Sequence, residues 1–216
     1  HILGWLRHHG IGEVAINICH LAEAVVDSLG DGGDLGMSIS YSREESRLGT
    51  AGGVKRMADF FDGTFVVHYG DVLTDFDLGA MVRRHRAAGA VATLAIVRMT
   101  EPRNAGVVEM DDADRITSFA EKPVRRSDSS NLENGGTYVL EREVLEFVPA
   151  GERTDFGRDV LPELVRSGRP VHGYVLDAGD YLIDIGSREK YRQAGDDVAS
   201  GRVRVFGPEG FGVYGG

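Results

Sequence analysis

A single cysteine, Cys19, stands in 216 residues. It cannot form an internal disulfide, and no Cys cluster has zinc spacing. Basic residues are in short supply as well: 24 Lys and Arg face 34 Asp and Glu, for a formal net charge of −10. A chain of that sign lacks the basic face that phosphates require, which argues against nonspecific nucleic-acid or anionic-membrane binding. Long apolar runs are missing too. Val91 to Val97 is among the longest, well under the roughly 20 residues that a membrane-spanning helix needs. What is present is an ordinary balance, 42% hydrophobic and 27% charged, which excludes a disordered or fibrous chain. The reading is one generous domain or two small ones, in a reduced, soluble, cytoplasmic enzyme or regulator.

The ends carry their own signals. The chain opens at His1 inside an amphipathic pattern, with Ile2, Leu3 and Leu6 at helical spacing and Gly10 as a stop. No N-cap residue stands before it, and the order of a signal peptide is missing. Gly201 to Gly216, rich in Gly and Val, reads as the start of another strand-rich piece. Both ends look like fragment boundaries.

Between them, short apolar runs alternate with helical periods. Strands are predicted over 13–18, 37–41, 65–69 and 91–97, and helices over 21–29, 51–61 and 78–88. That βαβα rhythm predicts a mostly parallel sheet with helices on both faces. After Met99 the rhythm changes to a hairpin over 106–110 and 116–119 and a strand over 137–140. Helices over 144–147 and 157–166, strands over 171–176 and 181–185 and a closing helix over 188–198 complete the pattern. Arg125 to Asn131 is polar and Ser-rich and reads as a mobile surface loop.

In open α/β sheets ligands sit at the carboxyl ends of strands. Gly70 and Asp71 follow one apolar strand there, and Asp184 ends another before Gly186. If these carboxylates meet about 4 Å apart, they repel by roughly 4 kcal/mol at an effective dielectric of 20, and a divalent cation reverses the sign. Hard oxygen ligands favour magnesium; the alternative is that each Asp caps a turn or helix. Leu48, Gly49, Thr50, Ala51, Gly52 and Gly53 lead into a helix. Their glycines allow close backbone approach and the helix start attracts anions, or the stretch is merely a Gly-rich turn. It is not a Walker loop, and GxGxxG is absent. Glu121 and Lys122, followed by Pro123, offer a carboxylate for sugar hydroxyls and an ammonium for phosphate, or a solvated turn. Asn134 with Gly135 and Gly136 offers an amide and exposed backbone, or a turn. His8, His9 and His85 read as helix-surface residues, and no GxSxG elbow or nucleophile triad can be assembled. Asp75 and Asp77 form a DxD-like pair, although Asp77 also reads as the N-cap of the following helix.

Taken in order, these pieces resemble the sugar-1-phosphate nucleotidyltransferases, the nucleotide-sugar pyrophosphorylase family. The likeness runs from His1 to about Ala199 and is greatest for mannose-1-phosphate guanylyltransferase-like members. It rests on LGTAGG at Leu48 to Gly53, GDVLTDFDL at Gly70 to Leu78 and GVV at Gly106 to Val108. FAEKP at Phe119 to Pro123, NGGTYVLE at Asn134 to Glu141 and DIGSREKY at Asp184 to Tyr191 complete the set. The resemblance implies a Rossmann-like α/β domain over 1–199, with a β-rich sugar-binding insertion and a C-terminal extension from 200. If that extension continues as hexapeptide repeats, a β-helix and a homo-oligomer follow.

By the same likeness, Asp71 and Asp184 would hold Mg2+ and, with Lys122, form the catalytic set. Leu48, Gly49, Thr50, Gly52, Gly53 and Gly70 would bind the nucleotide, and Gly106, Glu121, Lys122 and Asn134 the sugar phosphate. The implied partners are a nucleoside triphosphate, GTP favoured, and a sugar 1-phosphate such as mannose 1-phosphate; pyrophosphate is released. The family's opening GGxGTRL motif is absent, so the chain as it stands is expected to be inactive. Tyr69 replaces the Asn common before Gly-Asp, and Leu182 stands where an aromatic is usual. Two other readings compete: a metal-dependent glycosyltransferase using Asp75 and Asp77, and a noncatalytic regulatory homologue sensing nucleotide sugars.

Overall fold

The protein is described here by a computed structural model covering residues 1–99, 106–121 and 131–207. One long strand organises it. The apolar run from Thr137 to Leu140 extends backward through Asn134 to make β8 (Leu132–Leu140), which all but disappears into the interior. Strand β5 (Ala92–Arg98) runs antiparallel along one side, with β9 (Val171–Val175) parallel beyond it. On the other side lie β3 (Phe65–His68), against the second half of β8, and β6 (Val107–Met110), against its first residues. Strand β7 (Ile116–Ala120) completes the expected hairpin with β6. Since β3 and β5 both oppose β8, the strands β3, β5 and β9 point the same way. The α/β class holds, and β8 makes the sheet a mixed one.

Two smaller pairs flank it. Strands β1 (Glu13–Ile18) and β2 (Ser38–Arg43) are parallel, while β4 (Val72–Thr74) and β10 (Leu182–Asp184) form an antiparallel ribbon. The helices are α1 (Ile2–His8), α2 (Ala22–Leu29), α3 (Gly49–Arg56), α4 (Leu78–Ala88), α5 (Leu161–Arg166) and α6 (Arg188–Ala199). None among the described residues is long and apolar enough to cross a membrane.

The core sits where the sequence is most continuously apolar. Ala92, Leu94, Ala95 and Ile96 of β5 are fully buried on both faces, each large side chain contributing about 2 kcal/mol or more of burial free energy. Trp5 anchors α1, donating its indole N–H to the Phe76 carbonyl at 2.9 Å. Its ring meets those of His68 and Phe76.

Some boundaries differ from expectation for local reasons. The helix expected over 51–61 is α3 followed by a separate 3₁₀ turn, Ala58–Phe60. The helix expected over 157–166 begins as a π turn, Phe156–Val160, before α5. His85 is not a surface residue. It faces inward from α4, with Nδ1 2.9 Å from Thr93 Oγ1 and Nε2 3.1 Å from Glu141 Oε1. Residues 201–207 form no strand and instead lie along the body, with Val203 buried. Most of the expected loop at 125–131, Lys122 and the last nine residues fall outside the described residues.

Candidate functional site

The β4–β10 ribbon places two distant carboxylates at one edge. Its register pairs Val72 with Asp184 and Leu73 with Ile183, and the Ile185 N–H donates to the Asp71 carbonyl at 2.7 Å. Leu73 and Ile183 are buried and fix the ribbon, whereas Asp71 and Asp184 are exposed at its end. A methyl carbon built on Gly186 would lie 2.9 Å from Asp184 Oδ1 and 3.8 Å from Asp71 Oδ2. The Gly186 N–H holds Asp184 Oδ1 at 2.7 Å, and Lys190 Nζ stands 3.9 Å from Asp184 Oδ2. Gly70 leaves open space beside them.

Two hard oxygen donors that both border the Gly186 Cβ position could hold a magnesium ion, which keeps its other positions for water and substrate phosphate. No third His, Cys, Asp or Glu joins them among the described residues.

The LGTAGG loop is held by a segment that sequence reasoning passed over. The N–H groups of Ala51 and Gly52 both donate to the Thr154 carbonyl, at 2.9 and 3.0 Å. Thr50 N–H donates to Asp155 Oδ1 at 3.1 Å, and Phe156 N–H to Thr50 Oγ1 at 2.9 Å. Leu48 N–H is held by Glu44 Oε2 at 3.1 Å. The expected anion cradle of free N–H groups is thus already occupied by the chain's own acceptors.

The glycines serve close approach instead. A Cβ on Gly49, where φ is +77°, would lie 2.5 Å from the Thr154 carbonyl oxygen; one on Gly52 would lie 2.7 Å from that of Glu152. At Gly53 it would meet Asn17 Nδ2 at 2.1 Å. The signal that could have found Thr154 and Asp155 is the Thr-Asp-Phe-Gly run before a helix. It has the same grammar, a carboxylate then a glycine, as Asp184-Ile-Gly.

A third cluster gathers Gly106, Glu121 and Asn134. The Asn134 N–H donates to the Gly106 carbonyl at 2.8 Å. A Cβ on Gly106 would lie 2.9 Å from Glu121 Oε2, and one on Gly157 only 2.5 Å from it. Two glycines thus make the seat of one carboxylate. Asn134 Nδ2 donates to the Tyr138 hydroxyl at 2.7 Å, and Tyr138 donates to the Tyr69 hydroxyl at 3.0 Å. Thr50 faces that same Tyr69 hydroxyl, joining this cluster to the glycine loop. Burial pushes the ionisation of both phenols up, so both remain protonated donors at neutral pH. Gly136, at φ +73°, bends β8 beneath the Tyr69 ring, and Leu182 of the ribbon rests against Gly135.

Asp75 and Asp77 do something else. Asp75 is 2% exposed and accepts from the backbone N–H groups of Tyr181 and Arg204, both at 2.8 Å. The Arg204 guanidinium lies 3.4 Å from the same carboxylate. Asp77 caps α4, accepting from Ala80 N–H at 2.8 Å, and that bond holds its carboxyl below the usual range. Neither is free for a cation, which removes the metal pair on which the glycosyltransferase reading depended.

With this geometry in place, comparison with known proteins is decisive on one point. The sequence pattern described as Nucleotidyl transferase matches residues 1–201. The chain belongs to the nucleotidyl transferase family. It is 38% identical to a UTP–glucose-1-phosphate uridylyltransferase of Synechocystis sp., covering 94% of this chain and 55% of that protein. It is 34% identical to the mannose-1-phosphate guanylyltransferase of Mycobacterium tuberculosis, covering 93% of this chain and 55% of the relative. The D-glycero-alpha-D-manno-heptose 1-phosphate guanylyltransferase of Aneurinibacillus thermoaerophilus is 31% identical, with 90% and 81% covered. The chain thus spans about half the length of the first two relatives. Among solved structures, HddC from Yersinia pseudotuberculosis aligns at a TM-score of 0.76 and 22% identity, over 91% of this chain and 83% of that one. That likeness is one of fold.

Proposed function

We propose that the protein to which this chain belongs joins a nucleoside triphosphate to a sugar 1-phosphate and releases pyrophosphate. A phosphate oxygen of the sugar 1-phosphate attacks the α-phosphorus, and the bond to the β-phosphate oxygen breaks. Such chemistry needs positioning and charge neutralisation more than covalent participation. The observation that carries the reading is the convergence of Asp71 and Asp184 on one point above Gly186. Those carboxylates would hold magnesium, which when bound neutralises phosphate charge. Glu121 accepts a sugar hydroxyl in the seat made by Gly106 and Gly157, Asn134 presents its amide to a neighbouring hydroxyl, and Lys122 pairs with the sugar phosphate. Gly70 and the LGTAGG loop border the nucleotide. The chain spans about half the length of the first relatives it matches, so the activity is proposed for the whole protein.

GTP and mannose 1-phosphate are the favoured pair, supported by the motif likeness and by two guanylyltransferases among the relatives. The uridylyltransferase relative makes UTP with glucose 1-phosphate the rival. The test is pyrophosphate release by the full-length protein with magnesium, across GTP, UTP, ATP and dTTP against several sugar 1-phosphates. Release is expected only when both substrates are present, and best with GTP. Activity confined to UTP and glucose 1-phosphate would overturn the preference. Silence with every pair would overturn the reaction.

A further inference from the structure

We propose that Tyr69 is a positioning residue that fixes Asn134 as a hydrogen-bond donor toward the sugar and thereby sets how well the enzyme recognises it. This rests on the nucleotidyltransferase reading and deepens it. Gly136 N–H points at the Asn134 side chain and finds Oδ1 at 3.1 Å. A flipped amide would set the NH2 group against that N–H, two donors facing each other, so Gly136 decides which way Asn134 turns. Nδ2 then gives one hydrogen to the Tyr138 oxygen at 2.7 Å. Tyr138, fully buried, must send its own proton onward, and Tyr69 receives it at 3.0 Å.

The direction of the whole chain is therefore set, from Asn134 through Tyr138 to Tyr69. The second Nδ2 hydrogen of Asn134 is left for a ligand. Glu121, seated against Gly106 whose carbonyl holds the Asn134 backbone, places a carboxylate in the same cluster. A donor next to a carboxylate suits two adjacent sugar hydroxyls, one accepting from Asn134 and one donating to Glu121.

Tyr69 receives the proton of Tyr138, and its hydroxyl also meets Thr50. Its place is fixed by the Tyr69 N–H bond to the Gly136 carbonyl at 3.0 Å and by the bend at Gly136 under its ring. Replacing it by Phe keeps the ring and removes the acceptor. The buried Tyr138 proton then has no partner except Asn134, and turning that way competes with the amide orientation. Asn134 loses its fixed donor role, while the ribbon bearing Asp71 and Asp184 is untouched.

The experiment is steady-state kinetics on the full-length enzyme, measuring pyrophosphate release for wild type, Tyr69→Phe, Asn134→Ala and the double variant. Tyr69→Phe is expected to raise KM for the sugar 1-phosphate about tenfold, with kcat within about twofold. In its sugar KM the double variant should be no worse than Asn134→Ala alone, because Tyr69 acts on the sugar through Asn134. Tyr138→Phe breaks the same chain at its middle and should show the same KM shift, which decides the matter if Tyr69→Phe does not fold. An active wild type whose sugar KM ignores both Phe variants would overturn the relay alone. So would a double variant that multiplies the two single effects. A wild type inactive with every substrate pair would overturn the nucleotidyltransferase reading and take the relay with it.

Discussion

The β4–β10 ribbon has two ends of opposite character, and each is marked by an aspartate of the same short segment. At one end Asp71 and Asp184 lie exposed and converge above Gly186, with Lys190 Nζ 3.9 Å from Asp184 as the nearby cation. At the other, Asp75 is 2% exposed and fully engaged by Tyr181 and Arg204. Three residues separate an exposed carboxylate from one that holds the fold. The difference lies in what the chain supplies as partner. A buried charge must be paired and hydrogen-bonded within the protein, whereas an exposed one is hydrated and open to what binds.

The largest expected effect is at the open end. Asp71→Ala and Asp184→Ala in the full-length protein should each lower kcat/KM for pyrophosphate release roughly thousandfold, about 4 kcal/mol of transition-state stabilisation. Their melting temperatures should stay close to wild type, because neither side chain is buried. A large loss of stability in either variant would erase the distinction between the two ends.

How much of this was legible in the sequence depends on the range of the interactions. Strand β5 and helix α4 could be read because their signals are local: a continuous apolar run, and an Asp77 cap with Gly89 at the far end. Asp71 and Asp184 could be singled out because each ends a strand beside a glycine. Their meeting could not, since it depends on strand register across the ribbon. Asp75 was ambiguous for the same reason: Arg204, which neutralises it, lies 129 positions downstream. The insertion of β8 antiparallel between β3 and β5 is likewise a matter of topology, invisible to a rhythm of strands and helices. His85 was misplaced because its inward face is defined by Thr93 and Glu141, contributed by other elements.

A second, smaller effect probes what carries the ribbon. His68 of β3 is half-buried, with Nε2 donating to the Val72 carbonyl at 2.8 Å and Nδ1 accepting from Thr137 Oγ1 at 2.9 Å. Burial pushes its pKa down to about 4, against about 6.5 for an unfolded chain. The unfolded state therefore takes up this proton first as pH falls. The neutral ring's contribution is complete above about pH 6.5, declines below it and is gone near pH 4, a loss of about 3 kcal/mol. Denaturant melts across that window should show the decline in wild type and a flatter profile in His68→Gln. Equal slopes in the two proteins would contradict the neutral histidine.

At the closed end the expectation reverses that of the first substitution. Asp75→Ala leaves the N–H groups of Tyr181 and Arg204 without their acceptor and should cost about 2 kcal/mol of stability. Asp77→Ala, which removes only an N-cap, should cost about 1 kcal/mol. Both should retain magnesium-dependent turnover once assayed below their melting points. Loss of the metal requirement in Asp77→Ala, with Asp184→Ala still active, would restore the rival assignment of the metal pair.

The central claim is that two carboxylates from opposite strands of one ribbon grip one ion. The most direct measurement is an anomalous difference map from crystals of the full-length protein grown with nucleotide and Mn2+ in place of magnesium. The account predicts one peak within about 2.2 Å of a carboxylate oxygen from each of Asp71 and Asp184. A peak bound by only one of them, or one seated on Asp75 or Asp77 instead, would contradict it.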